Sequence, residues 1–197
     1  MKAASVPLAH VEAVAIGTSA GGVDALGTVL PALPVTLKVP VFLVIHLPRD
    51  RPSLLVSIFE PKCKVPIREA EDKDPVERGT IYVAPPDYHL MLDKGPQLVL
   101  STDEPVNYSR PSIDVLFESA AELYGRSLLA VLLTGANEDG AQGMRAVREA
   151  GGTTVVQSPE EAFAPLMPGA ALERGVVDHV MRLNDIARLL AGLGARR

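Results

Sequence analysis

Apolar and polar positions along the chain predict buried strands separated by amphipathic helices. Runs rich in β-branched and other apolar residues predict four strands, at residues 11–17, 39–46, 128–135 and 153–157. Apolar residues recur at helical spacing in five other segments, at residues 23–33, 53–59, 112–125, 141–152 and 182–193. Successive strand–helix–strand units favour parallel strands joined by right-handed crossovers. The pattern therefore predicts an α/β fold with a doubly wound, mostly parallel sheet in a Rossmann-like three-layer arrangement.

Residues 77–101 interrupt this alternation of predicted strands and helices. They contain three short apolar runs separated by turn signals at residues 85–87 and 94–96. We expect an antiparallel meander here, attached to the parallel sheet. The chain shows no internal repeat and no linker, so we expect residues 1–197 to form a single domain.

Composition narrows the class of protein. The 197 residues are 47% hydrophobic and 22% charged, with a net charge of −5, which argues against a general nucleic-acid-binding surface. The single cysteine, Cys63, cannot form an internal disulfide or a cysteine-rich zinc site. His10, His89 and His179 lack the spacing of a metal site, and no metal or cofactor is predicted. With no apolar run near the roughly 18 residues of a membrane span, we expect a soluble, cytoplasmic protein.

Three residues with complementary chemistry follow three of the predicted strands. Ser19 follows the first strand, His46 ends the second, and Asp139 follows the third. Ligands of open parallel sheets bind outside the carboxyl ends of the strands, so these side chains could meet in one crevice. A serine needs a base to become a nucleophile, and a histidine oriented by an aspartate supplies one. The three together favour a hydrolase.

Each residue also has an ordinary structural interpretation. A serine before a helix is often an N-cap, and a glycine-rich turn often binds phosphate. The spacing from Gly17 to Gly22 is G-x-x-x-G-G, which matches neither the dinucleotide fingerprint nor the Walker loop. A histidine that ends an apolar strand is often a core residue, and an Asp-Gly pair is usually a turn. The hydrolase hypothesis rests on the three residues occurring together.

Three sequence motifs resemble those of one enzyme family. The first strand and turn read IGTSAGG, the second strand ends in IHLP, and the third motif reads TGANEDGAQGM. The intervening NYSRPSIDVLFESAA and the final MPGAALERGVVDHV fit in the same order. Over nearly its whole length, the chain resembles the catalytic domain of the bacterial chemotaxis protein-glutamate methylesterases, the CheB type.

The resemblance implies a Ser-His-Asp hydrolase that removes methyl esters from receptor glutamates. Many members of the family also deamidate receptor glutamines. By matching position, Ser19 would be the nucleophile, His46 the base and Asp139 the orienting acid. The backbone N–H of Ala136 falls where the family places an oxyanion donor, and that of Ala20 is a second candidate.

The chain departs from the family pattern at several positions. Ile45 stands where glutamine is usual, Asn137 replaces a glycine, and Ala136 replaces a bulkier residue, usually methionine. A change of side chain at Ala136 need not remove a backbone donor. Glu138 directly precedes Asp139 and is a second candidate acid, although the family match favours Asp139.

The resemblance also implies partners. Cytoplasmic helices of chemoreceptors would be the substrate, and the receptor would be the protein's link to the membrane. Because the first catalytic strand begins by about Val11, no receiver domain precedes it, which predicts a stand-alone esterase or a fragment. A separate regulatory protein would then be a candidate partner.

Further polar residues have weaker assignments. Arg110 is a tentative substrate-binding residue, and Ser112 is placed to cap the helix that follows it. A basic cluster could be a solvated face or a patch that meets acidic receptor helices; it comprises Arg49, Arg51, Lys62, Lys64 and Arg68. Lysines flank Cys63, but no matching histidine motif accompanies it, so we interpret it as a bystander.

Two other classes of function stay open from sequence. One is a non-catalytic interaction module that keeps the fold, which the intact serine, histidine and aspartate argue against. The other is a nucleotide-binding domain that uses the glycine turn. It is weakened because no acidic ribose-binding residue follows about twenty positions later.

Overall fold

Two sheets organise the part of the chain described by the computed structural model, which comprises residues 6, 8–47 and 52–194. The strands are β1 (Ala13–Thr18), β2 (Val41–Ile45), β3 (Ile67–Glu69), β4 (Ile81–Val83), β5 (His89–Asp93), β6 (Gln97–Ser101), β7 (Leu128–Leu132), β8 (Thr153–Gln157) and β9 (His179–Met181). Seven of them form one sheet in the order β3-β4-β2-β1-β7-β8-β9, and every neighbouring pair is parallel. The doubly wound parallel sheet predicted from sequence is confirmed.

The strand order places a topological switch point at β1. After β1, the chain adds β2, β3 and β4 on one side of β1. It then returns and adds β7, β8 and β9 on the other side. Crossovers on the two sides leave opposite faces of the sheet, so a crevice opens beyond the carboxyl ends of the central strands. The loops that follow β1, β2 and β7 therefore share one edge of the sheet.

Helices cover both faces of the sheet. They are α1 (Gly22–Val29), α2 (Leu55–Phe59), α3 (Ile113–Tyr124), α4 (Ala141–Glu149), α5 (Leu166–Glu173) and α6 (Leu183–Ala191). One core contains the apolar faces of α1, α2 and α6, and the other contains those of α3, α4, α5 and the β5–β6 hairpin. Alternation along β1 divides the strand between them, because Val14 and Ile16 face the first core and Ala13 and Ala15 the second.

Small residues on the second face let α3 come close to β1. A side chain at Gly17 would collide with the side chain of Ile113, the first residue of α3. This close approach brings the N-terminus of α3 to the carboxyl edge of the sheet, where it takes part in the site described below.

The antiparallel region differs in detail from the expected meander. Among the strands in the described residues, only β5 and β6 pair antiparallel, and they form a separate two-stranded sheet against α3. The first run of the expected meander is β4, which lies inside the parallel sheet between β2 and β3. Its three residues are buried, and burial against both neighbours determines its partner more strongly than its closeness in sequence to β5.

Three elements were missing from the sequence prediction. Strands β3 and β9 have three residues each, too few to show a period, and both lie at sheet edges. Helix α5 contains Pro168 and Gly169, which weaken a helical pattern. Pro168 is tolerated because it lies in the first turn, where a backbone N–H has no partner within the helix. None of the helices in the described residues is long and apolar enough to cross a membrane.

Candidate active site

The ends of β1 and β2 place Ser19 and His46 side by side. Thr18 and Ile45 are partners in the parallel register, and each is followed by one of these two residues. The His46 N–H donates to the Thr18 carbonyl at 3.3 Å, and the Ser19 N–H donates to the Thr134 carbonyl at 2.9 Å. The backbone at Ser19 is thus held between the loops that follow the neighbouring strands.

His46 contacts Asp139 directly. Its Nε2 lies 2.8 Å from Asp139 Oδ2, and the Asp139 side chain is fully buried. Because a carboxylate only accepts hydrogen bonds, this contact places a hydrogen on Nε2 and leaves a lone pair on Nδ1. Asn137 Nδ2 and Ser109 Oγ each lie 3.4 Å from Nδ1.

The N-terminus of α3 surrounds the Asp139 carboxylate with donors. The backbone N–H groups of Ile113 and Asp114 donate to it at 2.7 and 3.2 Å, as expected for unpaired groups at the start of a helix. Ser112 Oγ donates at 2.8 Å and Asn107 Nδ2 at 3.0 Å. With His46, five donors meet one carboxylate.

These donors set the charge state of Asp139. Burial favours the neutral acid and would raise its pKa, but the hydrogen bonds from His46, Asn107 and the Ile113 N–H outweigh burial. The pKa of Asp139 therefore lies below its usual value. The carboxylate is ionised at neutral pH and can stabilise a positive charge on His46.

Ser19 lies in the turn that joins β1 to α1. Gly21 adopts φ +76°, which a residue with a side chain rarely does, and the Gly22 N–H donates to the Ser19 carbonyl at 2.8 Å. The Ser19 side chain is half-buried. Within the described residues, no hydrogen bond joins Ser19 Oγ to His46 in this conformation. The two are neighbours in register, and a catalytic hydrogen bond between them would have to form on substrate binding.

Two backbone donors at this edge of the sheet have no acceptor among the residues that the structure describes. They are the N–H groups of Ala20 and Ala136. Thr134 links their loops, because its hydroxyl donates to the Ala20 carbonyl at 2.9 Å and accepts from the Ala164 N–H at 2.9 Å. The Gly135 N–H donates to the Ala164 carbonyl at 3.0 Å.

The second candidate acid points elsewhere. The Glu138 side chain is 67% exposed and pairs with Arg174 at 3.4 Å. Asp139 is the carboxylate that contacts His46.

Arg110 is held by groups of the protein. Its guanidinium donates twice to Asp87 Oδ1, at 3.0 and 2.8 Å, and to the carbonyls of Thr102 and Asp103. Only 18% of its side chain is exposed. These contacts use four of the five guanidinium N–H groups, and a role in substrate binding stays a prediction.

Ser112 does not cap its helix as expected. It is the N-cap residue of α3, but its side chain makes no capping hydrogen bond and donates to Asp139 instead. A capping serine would accept from the N–H groups of this first turn, but Asp139 accepts from Ile113 and Asp114 in its place. The contributions of Asn107, Asp114 and Asn137 were not foreseen either, because each lies far from His46 or Asp139 in sequence or within an irregular turn.

The structure assigns a partner to Arg68 of the basic cluster and shows no sign of a reactive Cys63. Arg49 and Arg51 of the cluster lie outside the described residues. Arg68 stacks over the ring of Tyr82 and donates to its hydroxyl at 3.2 Å. Burial raises the pKa of the Cys63 thiol, which disfavours the reactive thiolate. Within the described residues, no group of three or more histidine, cysteine, aspartate or glutamate side chains could hold a metal ion.

Comparison with known proteins identifies the family. Residues 14–190 match the CheB methylesterase family. The chain belongs to this family. A crystal structure of the CheB methylesterase catalytic domain from Thermotoga maritima superposes with a TM-score of 0.88, at 32% identity, over 93% of this chain and 98% of that one. The family resemblance expected from the motifs is confirmed, and so is the fold.

Relatives in the CheB family differ in length. A putative protein-glutamate methylesterase/protein-glutamine glutaminase from Leptospira interrogans strain Fiocruz L1-130 is 47% identical over 182 residues, covering 92% of this chain and 94% of the relative. A protein-glutamate methylesterase/protein-glutamine glutaminase from Trichodesmium erythraeum is 38% identical over 179 residues, covering 89% of this chain but 51% of the relative. The chain thus spans nearly all of the first CheB relative and about half of the second.

Proposed function

We propose that this CheB-family chain is a protein-glutamate methylesterase that hydrolyses the methyl esters of glutamate side chains on cytoplasmic helices of chemoreceptors. The observation that carries the proposal is the 2.8 Å contact between His46 and a buried, ionised Asp139, at the sheet edge where Ser19 also lies. Membership of a family named for this activity supports the substrate class. Action on chemoreceptors implies a cytoplasmic location and contact with the membrane only through the receptor.

In the first step, Ser19 Oγ attacks the ester carbonyl as His46 takes its proton. The accepting atom is Nδ1, because Nε2 is occupied by Asp139. The imidazolium that forms is stabilised by the Asp139 carboxylate, which stays ionised. His46 then returns the proton to the departing methoxide, methanol leaves, and Ser19 holds the glutamyl group as an ester.

The negative charge on the carbonyl oxygen needs donors that are already in place. The N–H groups of Ala20 and Ala136 are suited to this role, since both are unpaired in the described residues and Thr134 holds their loops together. Removing one donor that is aimed at an oxyanion lowers kcat by about two to three powers of ten. In the second half of the reaction, a water activated by His46 attacks the acyl-enzyme, and Ser19 and the carboxylate are released.

The same residues can deamidate glutamine. The first step then forms the same acyl-enzyme, and His46 delivers its proton to the departing amide nitrogen, which leaves as ammonia in place of methanol. Relatives that match this chain carry both activities in their names, which supports this second reaction.

The test is to incubate purified protein with chemoreceptor cytoplasmic fragments that carry methylated glutamates and to follow each modification site by mass spectrometry. We expect methyl groups to be replaced by hydrogen at specific sites, and glutamine to become glutamate at others. The Ser19→Ala variant is the control and should do neither. Unchanged fragments, with a demonstrably active esterase from another source in a parallel reaction, would overturn the proposal.

Two simpler measurements separate the proposal from its rivals. A fluorophosphonate probe should label Ser19, whereas a non-catalytic interaction module would not react. A rise in melting temperature on adding nucleotides would instead favour a phosphate-binding role for the turn at Gly21.

A separate regulatory protein and a single domain over residues 1–197 stay predictions.

A further inference from the structure

A tight turn closes over the His46–Asp139 pair. Val106 and Ser109 exchange backbone hydrogen bonds of 3.1 and 2.9 Å, and the two residues between them, Asn107 and Tyr108, have φ values of +49° and +60°. Two successive positive φ angles are those of a type I′ turn. Asparagine tolerates this conformation better than most residues. The turn therefore fixes the direction in which the Asn107 side chain leaves the backbone.

The Asn107 amide bridges two carboxylates. Its Nδ2 donates to Asp139 Oδ1 at 3.0 Å and to Asp114 Oδ2 at 2.7 Å. An amide NH₂ has two hydrogens, so both are used. If the amide rotated by half a turn, its oxygen would face two carboxylates and lose both bonds. Asp114 as an acceptor thus favours the orientation that donates to Asp139.

Asp114 is a buried acid that the proposed reaction does not use. It lies in the first turn of α3 and is 5% exposed. Its other oxygen accepts the Gly143 N–H of α4 at 2.6 Å. Because α4 begins two residues after Asp139, Asp114 is anchored to the same helix that carries the Asp139 loop.

We propose that Asp114 and Asn107 are positioning residues for the His46–Asp139 pair. The Asp114 carboxylate holds the Asn107 amide with its NH₂ group toward Asp139 Oδ1, and this bond keeps Asp139 Oδ2 aligned with His46 Nε2. His46 is thereby kept in the tautomer whose Nδ1 can accept a proton from Ser19. The inference rests on the proposed function for its kinetic consequences, but its effect on the His46 tautomer does not depend on the substrate.

Charges around Asp114 make this arrangement sensitive to pH. Burial raises the pKa of Asp114 to about 6, the negative charges of Asp139 and Glu118 also raise it, and the bonds from Gly143 and Asn107 lower it. Two imidazoles lie nearby: His46 is beyond Asp139, and His89 accepts the Ser112 N–H at the start of α3.

Protonated Asp114 would donate where it now accepts, and Asn107 would lose its anchor. Protonation of Asp114 should then lower activity below pH 6. In a plot of log kcat against pH, the acidic limb of the wild-type protein should therefore show an additional decrease of about one log unit in this range, matching the tenfold effect of losing one charge-assisted hydrogen bond.

The first test is a double-mutant cycle on methylesterase activity. Asn107→Gly removes the amide and keeps a residue that accepts positive φ. Asp114→Asn keeps the shape but removes the charge and leaves one acceptor oxygen for two donors, the Asn107 amide and the Gly143 N–H. Each should lower kcat about tenfold with little change in KM, as expected for the loss of one charge-assisted hydrogen bond. If Asp114 acts through Asn107, the double variant should be about tenfold slower and not a hundredfold slower. Glu122→Gln, an exposed change of the same charge on the same helix, is the matched control and should leave kcat unchanged.

The second test reads His46 directly. In ¹⁵N NMR of the imidazole, wild-type His46 should show one tautomer with the hydrogen on Nε2, and both variants should show a mixture. Asn107→Gly should also make the acidic limb less steep by removing the additional tenfold decrease below pH 6. If Asp114→Asn fails to fold, these two readouts on Asn107→Gly still decide the question.

Three outcomes have distinct meanings. Kinetic losses that multiply, with an unchanged tautomer and an unchanged slope, would overturn the positioning role and make the pair merely structural. Full activity in Asn107→Gly would also overturn it. Absence of methylesterase activity in the wild-type protein would refute the proposed function, and the NMR tautomer would then test the positioning role alone.

Discussion

Replacing Asp139 by asparagine isolates the role of its charge while keeping its shape. Oδ1 accepts three of the five hydrogen bonds and Oδ2 accepts two, from His46 and from the Ile113 N–H. The amide NH₂ of an asparagine can occupy either site, and it meets fewer donors at the Oδ2 site. We therefore expect the NH₂ group to face His46.

The magnitude follows from what His46 must then do. Its Nε2 can face an NH₂ group only as an acceptor, so the hydrogen moves to Nδ1, and Nδ1 can no longer take the proton of Ser19. In a related triad this change of tautomer costs about 10⁴ in kcat, equivalent to about 5 kcal/mol in the activation barrier. The Ile113 N–H also loses its acceptor, which costs about 1–3 kcal/mol of folding free energy.

The assay compares Asp139→Asn with Glu138→Gln on the same methylated receptor fragment. Glu138 is exposed and its pair with Arg174 lies at the surface, so Glu138→Gln should change kcat less than about twofold. Circular dichroism should show both variants folded, and NMR of His46 should show the altered tautomer in Asp139→Asn. If Glu138→Gln is the inactive variant and Asp139→Asn retains activity, our assignment of the acid is wrong. Retained activity in both would refute the triad mechanism.

Three further predictions concern the nucleophile, the packing and the pH dependence. Ser19→Ala should lower methylesterase kcat by several powers of ten without changing the melting temperature, and full activity in this variant would remove the catalytic assignment. Gly17→Ala should lower the melting temperature by several degrees, because overpacking against Ile113 costs about 1–3 kcal/mol. Gly27→Ala, a helical position with open space around it, is the control and should raise the melting temperature slightly; equal effects would contradict the packing argument. Because folding raises the pKa of Asp114 to about 6, the folded state holds this proton more tightly, so the free energy of unfolding should fall by about 2 kcal/mol as pH rises from about 4 to 6. Chemical denaturation should show this fall in the wild-type protein and a flatter profile in Asp114→Asn.

The central strands and most helices could be predicted because their burial produces local patterns of apolar residues in the sequence. The parallel strands β1, β2, β7 and β8 are buried on both faces, which gives continuous apolar runs. Edge strands β3 and β9 are short and partly exposed, so they carry no such run. The partner of β4 was also beyond local reasoning, since its pairing with β2 depends on contacts between residues far apart in the chain.

The residues of the site divide in the same way. Ser19, His46 and Asp139 could be singled out because each comes at or just after the end of a recognisable strand and because the motifs resemble one family. Arg110 was singled out on its motif alone, and its partners, Asp87 and two backbone carbonyls, are set by a loop that the sequence does not mark.

The amino-acid sequence was enough to predict which loops carry Ser19, His46 and Asp139, and that parallel strands would bring these loops to one edge of the sheet. It was not enough to show what surrounds the acid. Asp139 is buried among donors from Asn107, Ser112 and the first turn of α3, which lie 25 to 32 positions away in the chain. Periodicity indicates only which face of an element is buried, whereas a hydrogen bond requires the distance between donor and acceptor to be right to within a few tenths of an ångström. The close packing of α3 against Gly17 sets those distances, and that packing exists only in the folded chain.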